Sequence, residues 1–464
     1  MHPRSRFLPL AKLIVLMGLA AVAAACGSSG NSTLIIVRKP TPTTTPTPSP
    51  TATSTPAATS TPAATSTPTA TMTPSPTPTA PPAGFSLTPG QMNAPGRGAF
   101  GIAKLASGKV LLAGGIDIFS DVISSAEVFD PATGNFTLTK TPMPSPRKQF
   151  VATLLNDGRV LIAGGTDDKN HELDSALLYD PVTDSFSATA TPLTVPRSEY
   201  SATLLNDSRV LIAGGFTTPH GGESLPVSSA EVFNPADNTF HAVGSMSDAR
   251  AQHTATLLAN GEVLVAGGVN VKLGELASAE LFSPTTNTFT LTGSLATDRT
   301  GAVAARLNDG RVLVAGGGNE TGALKSAELY NVASGSFTPA GNEMPEAHYL
   351  AAVALLPDGG VLIAGGFAGS GIFFVLNAQT AATIFDPASN SFSATTPMNI
   401  SRSDIAATLL DDGRVFIPGG QNFQGESLAN ADLYNTASPG GRFSGLGVDI
   451  SGGMHSERVD QRAL

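Results

Sequence analysis

From residue 85 onward the chain alternates short apolar runs with polar turns, and the alternation recurs. Residues 147–192 show one full copy. Residues 150–155 are a β-prone run, and Asn156-Asp157-Gly158 behind them is a hairpin turn built from residues that accept positive φ. Residues 159–163 (RVLIA) form a second, mostly apolar strand suited to burial on both faces. Gly164-Gly165 ends it. A third strand at 175–179 closes on Asp180-Pro181, and a fourth at 185–189 is anchored by Phe186. Four short antiparallel strands make one propeller blade.

The pattern repeats along the chain. Gly-Gly pairs end at Gly115, Gly165, Gly215, Gly268, Gly317, Gly366 and Gly420, at spacings of 49 to 54 residues. Third strands follow at 125–129 (SAEVF), 229–233 (SAEVF), 278–282 (SAELF) and 326–330 (SAELY), with weaker versions at 381–385 and 430–434. Phe136, Phe186, Phe240, Phe289, Phe337 and Phe392 mark fourth strands. A period near fifty separates this array from shorter helical and WD-type repeats. With the strand-ending Gly-Gly, the aromatic before each Asp/Asn-Pro turn and the arginine opening each repeat, it resembles the kelch repeat family, which includes the central domain of galactose oxidase. The resemblance covers about residues 85–448, with phenylalanine where the family has a fourth-strand tryptophan. It implies an all-β fold, a seven-bladed kelch-type β-propeller over 84–448 with four antiparallel strands per blade.

Seven sets of first to third strands meet eight candidate fourth strands, because residues 85–87 and 443–445 both read as one. The N-terminal segment matches the internal copies better, so it is expected to close the ring. Residues 449–464 then form a polar, disordered tail.

Each first strand opens with a basic residue 13 positions before the first valine of the second strand: Arg97, Arg147, Arg197, Arg250, Arg299, His348 and Arg402. In kelch propellers the first strand is innermost, so the resemblance puts these residues near one mouth of the central channel, where some kelch domains bind acidic peptides through arginines. A ring of this kind suits carboxylates, because guanidinium groups fork onto them. The other reading is structural. Five blades carry a third-strand acid, Glu127, Glu231, Glu280, Glu328 or Asp432, with which the arginine pairs. His348 stands where Thr383 replaces that acid, as the structural reading expects, whereas Arg147 persists beside Leu177. The two roles are compatible. The loops between second and third strands overhang the same mouth; the longest, 216–228 and 367–380, are where function is expected. The second holds the apolar stretch 372–376 (IFFVL), which suits a channel plug, a strand extension, a partner site or local packing.

Residues 1–25 stand apart from this array. Arg4, Arg6 and Lys12 precede the apolar stretch 13–25, which is shorter than the ~20 residues of a membrane span and reads as a signal peptide. It ends in Ala23-Ala24-Ala25-Cys26-Gly27, which resembles the lipobox of bacterial lipoproteins, with Ala23 where leucine is usual. Cys26, the single cysteine of the chain, is expected to be lipidated; plain secretion after Ala-x-Ala is the alternative. Cleavage takes the net charge from −10 to −13. Residues 26–39 form the mature N-terminus. Residues 40–83, nearly all Pro, Thr, Ser and Ala, make a disordered linker that reaches on the order of 100 Å at ~3.1 Å per residue. Localisation at the outer membrane or cell surface follows, with the lipid as the membrane contact.

The acidic balance argues against nucleic acid as a partner. With no cysteine in the body, the crosslinked copper chemistry of galactose oxidase is excluded, and the scattered histidines suggest no metal site. The acidic stretch 167–172 lacks the EF-hand glycine and reads as a solvated loop. No nucleophile motif stands in a strand–helix context. Some kelch propellers act on sialic acid, which an arginine-rich mouth suits, but no catalytic base stands out. The expectation is therefore a monomeric, cofactor-free, non-enzymatic binding, adhesion or scaffold module that recognises a protein or glycan at the loop-rich mouth. An enzyme acting on acidic sugars or cell-wall polymer through the arginines and His348 is the alternative, and a purely architectural envelope component a third reading.

Overall fold

Val, Leu and Ile runs broken by Asn/Asp-Gly turns fold as hairpins because only a sheet buries both faces of so short a segment. The computed structural model describes residues 83–219, 222–369 and 377–436. Cys26, the linker, residues 372–376 and the 443–445 segment lie outside the described residues. The copy read above forms strands Val151–Leu154, Val160–Ala163, Ala176–Asp180 and Ser185–Ala188, within one residue of the expected positions. Seven such four-stranded antiparallel sheets make an all-β propeller, in each of which the first strand pairs with the second, the second with the third and the third with the fourth. First strands of successive blades contact one another, so they form the inner ring.

All seven second strands, from Val110–Ala113 to Val415–Pro418, are buried along their whole length. Burying each Val, Leu or Ile contributes ~1.5–3 kcal/mol. The apolar clusters span neighbours: Ala103 and Leu111 of blade one pack with Phe150 and Val160 of blade two. Blades therefore stabilise one another pairwise around the ring.

The Gly-Gly signature has a specific cause. The second glycine of each pair donates its N–H to the carbonyl of the next blade's opening residue, as Gly115 does to Arg147 (2.8 Å), Gly317 to His348 (2.7 Å) and Gly420 to Arg97 (2.8 Å). The first glycine sits at φ +60° in Gly114, and a Cβ there would lie 2.4 Å from the same carbonyl oxygen of Arg147. Only glycine fits where the left-handed turn and the approach of the next blade coincide.

On the opposite face a second set of arginines clamps neighbouring blades. Arg209 bonds Asp207 of its own turn, then reaches Asn287 Oδ1 (2.9 Å) and the Pro284 carbonyl (2.8 Å) of the next blade. Arg159, Arg311 and Arg414 make the corresponding contacts to Pro235, Pro387 and Pro131.

Gly84–Leu87 pairs with Ala431–Asn435, so the N-terminal segment supplies the fourth strand of the seventh blade. Phe85 packs on Tyr434 at 4.9 Å, the same third-to-fourth-strand contact that Phe129–Phe136 makes at 4.9 Å and Phe385–Phe392 at 4.8 Å. The expected closure is the one observed.

Candidate functional site

The seven opening residues lie inside the blades. Arg97, Arg147, Arg197, Arg250, Arg299, His348 and Arg402 are at most 1 % exposed. Each arginine donates through Nη1 to the first glycine carbonyl of its own blade, as Arg97 to Gly114 (2.8 Å) and Arg250 to Gly267 (2.8 Å), and to the carbonyl at the start of the third strand. Five pair with the third-strand acids: Arg97–Glu127 (2.9 Å), Arg197–Glu231 (2.9 Å), Arg250–Glu280 (3.1 Å), Arg299–Glu328 (3.1 Å) and Arg402–Asp432 (2.7 Å). The acids also accept backbone N–H groups of the segment leading into the arginine, as Glu231 does from Thr194 (2.8 Å) and Glu280 from Ser247 (2.9 Å). Arg147, facing Leu177, uses Ser145 and Ser175 instead, and burial pushes its guanidinium down to about 10. His348 bonds the Gly365 carbonyl (2.8 Å) and Thr383 (3.2 Å). A buried charge needs such partners. Here the partners are inside the blade, as the structural reading of the arginines expects, and the arginines staple the framework.

Two positions further on, at the entry to the inner strands, stand Ala99, Gln149, Glu199, Gln252, Gly301, Leu350 and Asp404, which meet from blade to blade. All seven have φ between +51° and +59°, a region six non-glycine residues enter at a cost. The turn is held by hydrogen bonds passed from blade to blade: the N–H of Gln149 donates to the Ala99 carbonyl (2.9 Å), Glu199 to Gln149 (3.2 Å), Gln252 to Glu199 (3.1 Å), Gly301 to Gln252 (2.9 Å), Leu350 to Gly301 (3.0 Å) and Asp404 to Leu350 (3.2 Å).

Side chains build a polar network on this ring. Glu199 accepts from Gln149 Nε2 at Oε1 (2.5 Å) and from Gln252 Nε2 at Oε2 (2.5 Å). Thr166 donates to Gln149 Oε1 (3.1 Å), and Thr300 to Gln252 Oε1 (3.1 Å). The Tyr349 hydroxyl reaches Gln252 Oε1 at 3.5 Å, crossing a blade that has glycine at the ring position. A Cβ on Gly301 would lie 2.4 Å from Tyr349 Cε2, so that glycine makes room for the ring.

Burial pushes the Glu199 carboxyl up to about 7; the Gln252 hydrogen bond and Lys148 oppose the rise, while Asp404 and Glu172 add to it. Burial likewise raises Asp404 to about 6, against the pull of Lys148. Lys148 is itself lowered by burial and held charged by Glu199, Asp404 and Asp167. Glu199 and Asp404 thus both act electrostatically on one lysine, and it on them. A carboxyl raised by folding stabilises the fold below its unfolded value, and that contribution is lost as pH rises through the folded value. Glu199→Gln should therefore leave the melting temperature nearly unchanged at pH 4 and raise it at pH 8, by up to about 3 kcal/mol of stability. Thermal melts of the two proteins across this range check it; Asp404→Asn, at a partly exposed site, should do the same to a smaller extent.

The carboxylates of this ring escape a reading for repeats because repetition hides them. In chain order the position reads Ala, Gln, Glu, Gln, Gly, Leu and Asp, so no recurring residue type marks it.

No protein family matches the chain, and no curated protein does. Among solved structures, a fungal alcohol oxidase of the AA5 family, in complex with copper, is 17 % identical with a TM-score of 0.60, covering 75 % of this chain and 76 % of that one. The structure of YjhT is 15 % identical with a TM-score of 0.50, covering 62 % of this chain and 94 % of that one. The fold is that of a kelch-type propeller. At such identities the likeness shows fold alone, and propellers host many functions. Among the described residues no three His, Cys, Asp or Glu side chains gather as a metal site. His253 bonds Ser201 inside the wall, where burial and the Arg250 charge push it down to about 3, and His348 staples its blade.

Proposed function

We propose that the chain is a binding module of the cell envelope, tethered by lipid on Cys26 and displayed on the 40–83 stalk, that recognises a protein or glycan at the channel mouth. The observation that carries it is the ring of Gln149, Glu199, Gln252 and Asp404, with Lys148, on a rigid backbone turn. Amides, carboxylates and hydroxyls on a fixed frame are what polar recognition uses, and loops over a propeller mouth supply the rest. A glycan and peptide array probed with the full chain tests it. Binding should appear for the wild type and fall at least tenfold for Glu199→Gln combined with Asp404→Asn, with circular dichroism unchanged. Binding that survives both changes sinks the assignment.

Catalysis is the second reading, and one observation favours it. Glu199 and Asp404 sit near neutrality beside Lys148, the range in which a carboxyl exchanges protons. Against it, both Glu199 oxygens are held by glutamine amides. The carboxylates also disfavour acidic sugars as substrates. Turnover of an array ligand that stops in Glu199→Gln would decide for the enzyme.

A further inference from the structure

The rim of the same mouth carries exposed apolar side chains on stiff turns. Blades seven and one adjoin there, where the N–H of Arg97 donates to the Leu428 carbonyl (3.0 Å). The loops following their second strands have one design. Asp117 Oδ1 accepts from the N–H groups of Phe119 (2.8 Å) and Asp121 (3.0 Å), and Asn422 Oδ1 from those of Gln424 (2.9 Å) and Glu426 (3.0 Å). The turns hold out Phe119, 70 % exposed, Phe423, 62 % exposed, and Ile118. Further round, the strand Leu225–Pro226 exposes Leu225, and the turn between Val269–Asn270 and Gly274–Glu275 exposes Leu273. In blade two, the turn of the same design carries Asp168 and Lys169 instead, so the apolar tips are a choice of sequence and not a demand of the turn.

We infer that this rim docks a protein partner that presents a lysine or arginine flanked by apolar residues. The inference rests on the mouth being the binding site. The charge follows from the acids on this side: Asp404 follows Ser403, which pairs with Gln421 at the base of the Phe423 loop (2.9 and 3.0 Å), and Asp121 and Glu426 are exposed on the two turns. The protein character follows from the tips. The polar atoms there are already engaged within the turns, since Asn422 Nδ2 also donates to Gln424 (3.0 Å) and Glu426 (3.0 Å). That leaves apolar surface in place of the hydroxyl-binding groups a sugar needs. A turn whose backbone is already held by hydrogen bonds loses little backbone entropy when a partner packs on its aromatic tip, and buried aromatic anchors dominate interfaces.

Panning a phage-displayed random peptide library on the full chain tests the inference, with a neutral and acidic glycan array alongside. Enriched peptides should carry Lys or Arg beside aromatic or aliphatic residues. Their affinity should fall at least tenfold for Phe119→Ser and for Phe423→Ser, weaken with added salt, and stay unchanged for Val182→Ser, an exposed apolar control on an outer turn. Enrichment of acidic peptides, or loop variants that bind like wild type, overturns the inference. Binding to glycans alone overturns it too but leaves the mouth as a recognition site, whereas no binding to either probe removes both readings.

Discussion

Replacing Arg402 with alanine should cost the fold roughly 3–5 kcal/mol, because it leaves Asp432 as a buried charge without its partner. Both side chains are fully buried, 2.7 Å apart, and the guanidinium also binds the Gly419 carbonyl and Asn430. The protein itself contains the compensated versions. Blade six has His348 and Thr383 at these two positions, and blade two keeps Arg147 against Leu177. The double change Arg402→His with Asp432→Thr copies blade six and should recover most of the loss, since removing both charges spares the desolvation penalty that removing one exposes. Urea denaturation of the wild type and the two variants measures this. A double variant as unstable as Arg402→Ala would mean that the staple is not interchangeable between blades.

Deleting the closing strand should be nearly as costly. Gly84–Leu87 gives Ala431–Asn435 its only outer neighbour among the described residues, and the N–H groups of Thr88 and Met92 continue the attachment at 3.0 and 2.8 Å. Without it the seventh blade has three strands and an open edge, and Tyr434 loses Phe85. Losing four strand pairings together with the half-buried Phe85 should lower the melting temperature of a chain starting at residue 90 by roughly 5–10 °C. Truncation after residue 436 keeps all four strands of that blade and should melt like the full chain. Equal damage from both truncations would show that the C-terminal segment shares in closure.

The fold was legible in the sequence because a propeller writes its geometry seven times. Each Gly-Gly marks a carbonyl approach that excludes a Cβ, and each strand-four phenylalanine marks the same ring contact, so Phe85 was recognisable as a fourth strand far from its blade. The site was less legible. The arginines recur with the same regularity as the glycines, and for the same reason: they hold the blade. Regularity in a repeat reports framework. A periodic reading has no means of marking Glu199 and Asp404, because their position carries no recurring residue type. Nor does spacing reveal that Gln149 and Gln252, more than a hundred residues apart in sequence, clamp one carboxylate from two sides. That contact depends on blades two, three and four meeting at the axis.

Hydrogen exchange of the full chain with and without its strongest array ligand would place the binding site directly. Protection should concentrate at residues 148–149, 198–199, 251–252, 349–350 and 403–404 and in the loops at 116–123 and 421–427. Protection confined to the opposite face, at the turns around Pro131, Pro235, Pro284 and Pro387, would contradict a binding mouth at the carboxylate ring.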